Sequence, residues 1–299
     1  MGVWQSYWLI RRLKPAIIFT RGGFVSVPVA FGGRLNRVPY ITHDSDSTPS
    51  LANRVIAPWA AMHAVALPED VYPYPRSKTM TVGVPVSSDY VSVTPNLQRQ
   101  YRRDLKLDEY KQILLVTGGG NGAEQLNSVV IENAPRLLER YPKLLIVHIA
   151  GRALEAAVSD AYDRLLAPRM RTRVLVKGFI TDLFRYSGAA DVLIIRAGAT
   201  GLAEFALQEK ACIVIPSRQL IWQAKHAETL AARQAILELS EAQAAEDGRL
   251  SKLVANLLDD DLRRHNLAAN LAQFGVPDAA RRLAMLLLER ADQRSQTTI

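Results

Sequence analysis

The stretch that decides the fold is Ile113-Leu-Leu-Val-Thr-Gly-Gly-Gly-Asn-Gly-Ala123, where an apolar, β-type run breaks into glycines before an amphipathic helix. Glycines at a strand-to-helix junction let backbone N–H groups approach an anion closely, and the helix N-terminus adds partial positive charge. No Lys-Ser/Thr pair follows, so this is not the loop of the P-loop nucleotide triphosphatases. The junction predicts a phosphate-binding turn, with a purely structural tight turn as the alternative.

A second junction of the same kind lies downstream. Asp191 to Arg196 is predicted to be a buried strand, and it leads into the turn and helix of Arg196-Ala-Gly-Ala-Thr-Gly-Leu-Ala-Glu204. Two such turns in one α/β domain can hold a nucleotide diphosphate at one and a ribose or sugar at the other. Glu204 supplies a carboxylate that can accept from hydroxyls, and Arg196 is a candidate for an ion pair within the structure.

Strands and helices alternate along the chain. Six apolar strands between residues 113 and 239, with helices between them, predict a doubly wound parallel sheet with right-handed crossovers. Four shorter strands precede them, after a helix over 2–13, and prolines and serines over 85–95 predict an interdomain linker. The expected parts are a partial N-terminal domain over 1–90, a second domain over 91–275, and a C-terminal helix and tail over 276–299.

Composition excludes several classes of protein. The chain has 299 residues, of which 48% are apolar, enough for two cores of ordinary size. A single cysteine, Cys212, excludes a disulfide framework. No apolar stretch approaches the roughly 18 to 20 residues that span a bilayer, and no signal-peptide pattern opens the chain. We therefore expect a soluble or peripheral protein.

The net charge of +8 is concentrated near the N-terminus. Residues 1–58 hold seven Arg or Lys side chains against two Asp. A basic face suits anionic lipid headgroups or a lipid diphosphate, and a solubilising charge with no partner is the alternative. Nucleic acid is not expected, because no Lys/Arg block or recognition motif is present. Trp4, Tyr7, Trp8 and Arg11 share one face of the first helix, which predicts either an interfacial anchor or rings packed against the sheet.

Seven collinear pieces of the chain resemble the MurG-type glycosyltransferases, which transfer N-acetylglucosamine from UDP-GlcNAc to a lipid-linked muramoyl-pentapeptide. The pieces are Gly22–Pro28, His43–Asp46 with Ala52–Asn53, Gly83–Val86, Gly118–Ala123, Gly178–Leu183, Arg196–Glu204 and Gln223. The resemblance implies an α/β protein with the GT-B fold, in which two Rossmann-like domains face each other across a cleft. Residues 1–90 would then form the acceptor and membrane side, and residues 91–275 the UDP-sugar-binding domain.

One departure from that family concerns the N-terminal domain. A complete MurG-type domain begins with a strand, a glycine-rich loop carrying a histidine and two further strands, before the region that Met1 matches. The resemblance therefore implies an incomplete N-terminal domain. A late start of the gene model, a split or fragmentary coding sequence and a separate partner chain that supplies the segment are the alternatives, and the chain alone could be inactive.

The resemblance also implies a donor site. Its residues are Gly119, Gly120, Asn121, Gly122, Phe179, Ile180, Ala199, Thr200, Gly201, Glu204 and Gln223. The glycines and Asn121 would hold the UDP diphosphate, Phe179 and Ile180 the uracil, and Glu204 the two ribose hydroxyls. Gln223 matches one of a glutamine pair that holds the sugar, while Ala224 stands at the second position.

Inverting glycosyl transfer needs a base for the attacking hydroxyl and stabilisation of the departing UDP. His43 and Asp44, at the carboxyl end of a predicted strand, are the catalytic candidates, with a structural hydrogen-bonding role for His43 as the alternative. Helix N-termini can stabilise UDP, and no Asp-x-Asp motif is present, so neither a metal nor another cofactor is expected. The candidates for the acceptor side are Gly22, Gly23, Ser26, Asp46 and Asn53.

The resemblance as a whole predicts an inverting hexosyltransferase of peptidoglycan synthesis. It would use UDP-GlcNAc as donor and an undecaprenyl-diphosphate-linked muramoyl-pentapeptide as acceptor. The protein would be cytoplasmic and peripheral on the inner face of the plasma membrane, bound to its anionic surface. The alternatives are a non-catalytic or two-chain nucleotide-sugar-binding subunit and an enzyme similar to the UDP-GlcNAc 2-epimerases.

Overall fold

The computed structural model describes residues 1–120 and 122–297, which form two compact α/β units. The first unit comprises Met1–Val86 and the segment from Val276 onward, and the second comprises Ser87–Gly275. The chain leaves the first unit within the Pro- and Ser-rich stretch 85–95 and returns to it after Gly275. The predicted α/β class with two parallel sheets is confirmed.

The first unit is built on a four-stranded parallel sheet with the order β1-β2-β3-β4. Strands β2 and β3 contribute almost wholly buried residues, as expected for a sheet covered on both faces. Its elements up to the linker are α1 (Gly2–Leu13), β1 (Ile18–Thr20), α2 (Ser26–Leu35), β2 (Tyr40–Asp44), α3 (Leu51–Ile56), β3 (Met62–Val65) and β4 (Thr79–Thr81).

Helices α1 and α2 cross at small residues. A Cβ atom on Gly32 would lie 2.9 Å from the Cβ of Ser6 and 3.0 Å from the backbone nitrogen of Tyr7, so glycine allows the two backbones to approach. Ser6 and Ile10 are the buried side chains of α1. The opposite face is open to solvent, with Trp4 66% exposed and Trp8 62% exposed. The alternative in which these two rings pack against the sheet is therefore wrong.

The second unit contains a six-stranded parallel sheet with the order β10-β9-β8-β5-β6-β7. Strand order reverses between β5 and β8, and a sheet of this kind opens its ligand crevice at the carboxyl ends of the strands at that point. Its elements are α4 (Pro95–Asp104), β5 (Gln112–Thr117), α5 (Glu124–Arg140), β6 (Leu144–Ile149), α6 (Glu155–Leu165), α7 (Pro168–Arg171), β7 (Val174–Lys177), α8 (Leu183–Ala189), β8 (Val192–Ile195), α9 (Ala199–Leu207), β9 (Ala211–Val214), α10 (Ile221–Ala231), β10 (Leu237–Glu238), α11 (Glu241–Ala244), α12 (Arg249–Asp259) and α13 (Asp261–Ala272).

A largely buried ion pair fastens α4 to this sheet. The Arg102 guanidinium donates to both carboxylate oxygens of Asp191, at 2.8 and 2.7 Å, and its Nε donates to the carbonyl of Ala189. Asp191 also accepts from the backbone N–H of Ile113, at 2.7 Å. The Asp191 carboxylate thus links the residue before β8 both to the start of β5 and to α4. These bonds fix β5 and β8 relative to each other.

The last helix, α14 (Ala279–Thr297), packs on the first sheet. Its Leu283 and Leu286 join a buried cluster with Ile41, Met62 and Val82 from the strands and the segment after β4. The first unit is therefore completed by residues from both ends of the chain.

Two further observations concern residues 1–120 and 122–297. No helix in those ranges is both long and apolar enough to cross a membrane. No group of three or more His, Cys, Asp or Glu side chains in the same ranges is arranged to hold a metal ion.

Candidate functional site

The glycine turn after β5 has the geometry of a close-approach loop. Gly119 and Gly122 adopt positive φ angles of 88° and 77°, in the region that favours glycine. A Cβ atom on Gly122 would lie only 2.3 Å from the carbonyl oxygen of Ala150, so no other residue fits there without movement of the backbone. The Thr117 hydroxyl accepts from the N–H of Gly119 and holds the start of the turn. Asn121 lies outside the described residues.

Helix α5, which follows the glycine turn, adds partial positive charge to it. Helix α5 runs for 17 residues from Glu124, and its N-terminus follows the turn directly. The macrodipole of a helix of this length places partial positive charge at that end. The predicted phosphate-binding turn thus stands at the carboxyl end of β5, at the switch point of the sheet.

Phe179 lies beside this turn. It directly follows β7 and the buried Gly178, it is 44% exposed, and a Cβ atom on Gly120 would lie 3.8 Å from its Cε2 atom. Ile180, next in the chain, is half-buried. The guanidinium carbon of Arg152 lies 3.6 Å from the centre of the Phe179 ring. The two sequence-predicted base residues and the glycine turn are therefore neighbours.

The second junction places a carboxyl group near its helix start. Gly198 is the N-cap of α9, Ala199–Gly201 forms the first turn, and Glu204 follows one turn later. Burial raises the pKa of Glu204 from its ordinary value of 4.5 to about 7, and the neighbouring Tyr90 hydroxyl acts in the opposite direction. Close to neutral pH the group is thus divided between a neutral acid and an ionised acceptor.

A cavity of about 330 Å³ lies beside the glycine turn and the end of β8. Its lining includes Gly118 and Gly122 from the glycine turn, Gln223 from α10, and Arg196 at the end of β8. The Oε1 atom of Gln223 accepts from the backbone N–H of Ser217 at 3.2 Å, an arrangement that fixes which end of the amide is the donor. The structure therefore brings the glycine turn and Gln223 to one cavity.

Arg196 is held by an acidic partner on the same cavity wall. Its Nη1 atom lies 2.6 Å from Glu241 and also donates to the carbonyl of Ile215. Both charged side chains are nearly buried, with 11% and 10% exposed. The expected ion pair of Arg196 with a carboxylate is confirmed. The sequence did not predict that Glu241 would be the partner.

The candidate acceptor residues lie in the first unit, where β1 and β2 end. Ser26 donates to the carbonyl of Gly22, and Gly22 and Gly23 both have positive φ angles. Asn53 is completely buried, and its amide donates to the carbonyl of His43 at 3.1 Å and to a carboxylate oxygen of Asp44 at 2.8 Å. The glycine turn after β1 and the loop after β2 are neighbours, since a Cβ atom on Gly22 would lie 2.5 Å from the Ser50 hydroxyl.

Both catalytic candidates are buried at the end of β2. His43 Nε2 lies 2.9 Å from the carbonyl of Gly83, so this nitrogen carries the proton and donates it; Nδ1 faces the Ser45 hydroxyl at 3.3 Å. Burial lowers the pKa of His43 from its usual 6.5. Asp44 accepts from Asn53, from the N–H of Ser50 and from the phenol of Tyr74 at 2.7 Å. The catalytic assignment remains a prediction, and these contacts give Asp44 a positioning role in the loop.

Asp46 differs from these two. Its carboxyl group is partly exposed, and burial together with the nearby charge of Asp44 raises its pKa to about 6. The group thus titrates closer to neutral pH than an ordinary aspartate. Tyr74, which donates to Asp44, is itself stacked face to face on His63 with ring centres 3.8 Å apart, a contact that the sequence did not predict.

Two parallel-sheet α/β units in one chain, with a glycine turn at the switch point of the second, are typical of the GT-B class of nucleotide-sugar proteins. Models of glycosyltransferase family 28 match the chain, the N-terminal domain over residues 1–65 and the C-terminal domain over residues 113–283. The chain belongs to glycosyltransferase family 28.

A named relative is consistent with membership of this family. A Bacillus cereus protein named UDP-N-acetylglucosamine–N-acetylmuramyl-(pentapeptide) pyrophosphoryl-undecaprenol N-acetylglucosamine transferase 2 is 34% identical over 216 residues. The match covers 72% of this chain and 57% of that relative, so the chain spans little more than half of its length.

Solved structures share the fold. Acinetobacter baumannii MurG superimposes with a TM-score of 0.74 at 21% identity, covering 96% of this chain and 78% of the other. A UDP-GlcNAc 2-epimerase from Neisseria meningitidis, bound to UDP-GlcNAc, gives a TM-score of 0.68 at 13% identity and covers 96% and 80%. At these identities the likeness concerns the fold alone.

Proposed function

We propose that the chain binds UDP-GlcNAc and transfers its N-acetylglucosamine to a lipid-linked muramoyl-pentapeptide acceptor in peptidoglycan synthesis. The family membership and the name of the Bacillus cereus relative support this choice of substrates. The observation that carries the proposal is the meeting of the glycine turn with Phe179 on one side and with the cavity of Gln223 on the other. A diphosphate in the turn would then direct its nucleoside towards Phe179 and its sugar towards Gln223.

Each part of the donor would meet a group suited to it. Backbone N–H groups of Gly119, Gly120 and Gly122 and the α5 N-terminus would hold the diphosphate. The base would stack on Phe179, and the main chain of Ile180 would read its edge, since stacking alone does not distinguish bases. Glu204 would accept from the two ribose hydroxyls, with Ala199, Thr200 and Gly201 presenting the start of α9.

Nucleotide selectivity tests the donor site. Isothermal titration should show that UDP-GlcNAc and UDP bind, whereas ADP and GDP bind much more weakly. Glu204→Ala should weaken UDP binding by about 1–3 kcal/mol, because the ribose hydroxyls lose a charged acceptor. Equal binding of all three nucleotides, or none, would exclude a uracil-reading site.

The transfer step would be a direct inversion at the anomeric carbon. The acceptor hydroxyl forms the new bond as the bond to UDP breaks; a base takes the hydroxyl proton, and UDP keeps the bonding electron pair. His43 is proposed as that base through Nδ1, which is reached through the Ser45 hydroxyl, and Asp44 would hold the surrounding loop. The α5 and α9 N-termini would stabilise the departing diphosphate without an obligatory metal. His43→Gln should lower kcat at unchanged donor affinity, and chelation of metals should leave kcat unchanged.

The acceptor side would use the loops after β1 and β2. Gly22 and Gly23 expose backbone at positive φ, and Ser26, Asp46 and Asn53 border the same loops. Transfer of labelled GlcNAc to a synthetic lipid-diphosphate acceptor is the direct assay. Release of free sugar without acceptor would instead assign an epimerase-like reaction, and activity that needs a second polypeptide would assign a two-chain enzyme.

We also propose that the first unit docks on the anionic cytoplasmic face of the plasma membrane. The open face of α1 combines Trp4 and Trp8 with Arg11, whose guanidinium lies 6.0 Å from the Trp8 ring centre. Arg34 lies 4.8 Å from the ring centre of Trp59, another partly exposed tryptophan. Rings beside arginines are the combination that interfacial anchors use.

Vesicle sedimentation tests this docking. Each basic residue near an anionic surface contributes roughly 1 kcal/mol, screened over a Debye length of about 8 Å at physiological salt. Binding should require anionic lipid and fall with added salt. Replacing Arg11 and Arg12 with glutamine should weaken it by about tenfold or more at unchanged UDP affinity. Binding that is indifferent to anionic lipid would leave the charge a solubilising role only.

A further inference from the structure

We infer that Arg152 is a positioning residue of the base site, whose guanidinium holds the Phe179 ring in the orientation in which a pyrimidine stacks on it. This inference rests on the proposed function, because it takes Phe179 as the platform for the base. Arg152 belongs to neither glycine junction. It stands in the turn between β6 and α6, directly after the buried Gly151.

The backbone fixes the two residues close together. A Cβ atom on Gly178, the residue before Phe179, would lie 3.2 Å from the Cα of Arg152 and 2.6 Å from a carboxylate oxygen of Glu155. The segment after β7 is therefore pressed against the turn that carries Arg152. The guanidinium carbon then lies over the ring, 3.6 Å from its centre, well within the roughly 6 Å of a cation–π contact.

The surroundings of the ring leave room for a base. Arg152 covers one face of Phe179, the Gly120 backbone approaches the ring edge at Cε2, and 44% of the side chain stays exposed. A phenylalanine exposed to this degree has little core packing to hold its rotamer. The planar guanidinium supplies a partner that confines the ring, so that less rotamer entropy is lost when the base stacks.

A phosphate-binding role for Arg152 is the competing explanation, and ligand size separates the two. A positioning residue acts through the ring, so its loss should weaken uridine and UDP by the same factor. A direct partner of the diphosphate should affect UDP and leave uridine unchanged. Because cation–π contacts at exposed sites are modest, we expect Arg152→Ala to weaken both ligands about two- to fivefold.

A double-mutant cycle gives the decisive measurement. Wild type, Arg152→Ala, Phe179→Leu and the double variant are titrated with uridine and with UDP. Arg164→Ala serves as the matched control and should bind like wild type, because Arg164 is also an exposed arginine but lies on α6, near its C-terminus. Once the ring is absent, removing Arg152 should cost nothing more, so the double variant should match Phe179→Leu.

The outcomes separate this inference from the proposed function. Additive losses in the cycle, or a loss confined to UDP, would overturn the positioning role. A weakened Phe179→Leu beside an unaffected Arg152→Ala would overturn this inference alone. A wild-type chain that does not bind UDP would overturn the proposed function and this inference with it.

Discussion

The affinity for the sugar nucleotide should depend on pH through Glu204. Burial raises the pKa of this carboxyl group to about 7, and only its ionised form can accept hydrogen bonds from both ribose hydroxyls. The donor therefore binds the deprotonated form, and affinity should rise as the pH increases through 7. The free energy of unfolding depends on pH in the opposite direction. The folded state holds this proton more tightly than the unfolded chain does, so the contribution of Glu204 to stability falls as the pH rises from 4.5 through 7.

The size of this pH effect on affinity follows from the fraction of chains in which Glu204 is ionised. If only ionised Glu204 binds, the apparent Kd is the intrinsic Kd divided by the ionised fraction. With a pKa of about 7, roughly a tenth of the chains are ionised at pH 6 and nine-tenths at pH 8. UDP-GlcNAc should therefore bind about tenfold more tightly at pH 8 than at pH 6.

Isothermal titration at constant ionic strength measures this dependence. UDP-GlcNAc is the proper ligand, because both of its phosphates are esterified, whereas the terminal phosphate of UDP itself titrates near pH 6. Glu204→Gln keeps the shape of the side chain but does not titrate, so its affinity should be lower and independent of pH. A flat profile for the wild type, or the same slope for Glu204→Gln, would refute the assignment of Glu204 to the ribose.

Two further predictions concern stability and the glycine turn. Arg102→Met should lower the free energy of unfolding in urea by about 3–5 kcal/mol, because it leaves the largely buried Asp191 carboxylate without its bidentate partner; a loss below about 1 kcal/mol would contradict this. Gly122→Ala places a Cβ atom 2.3 Å from the carbonyl oxygen of Ala150 and should reduce UDP affinity at least tenfold, measured by titration. Gly119→Ala is the control. Gly119 also has a positive φ, but a Cβ atom there would meet no atom beyond its chain neighbours within 4 Å, so only a backbone cost of about 1–2 kcal/mol is expected. Equal losses of UDP affinity in the two variants would refute the close-approach argument.

Much of the fold was accessible from patterns in the sequence. The six apolar strands expected between residues 113 and 239 are observed as β5–β10, and the strand expected from Asp191 to Arg196 is one residue shorter at each end, at Val192–Ile195. The N-terminal helix was expected over 2–13 and is observed at Gly2–Leu13. Such segments are predictable because strands buried on both faces must be continuously apolar, and local turn chemistry marks their ends.

Contacts between distant segments were not accessible in the same way. The amphipathic pattern of α1 does not determine which of its faces packs against the rest of the protein. In the structure the face with Ser6 is buried, and the face with Trp4 and Trp8 is exposed. In the same way, no local signal joins Arg152 to Phe179 or Arg196 to Glu241. These pairings depend on tertiary packing, which brings together residues that are dozens of positions apart.

The return of α14 to the first sheet has a consequence for folding during synthesis. Strands β1–β4 leave the ribosome early, but Leu283 and Leu286, which cover Ile41 and Val82, emerge only after the whole of Ser87–Gly275. At 5–20 residues per second, that interval lasts roughly 10 to 40 s. During it the second unit can fold as a continuous segment, while Ile41 and Val82 still lack the cover of Leu283 and Leu286. The core of the first unit can therefore be completed only after α14 has been synthesised.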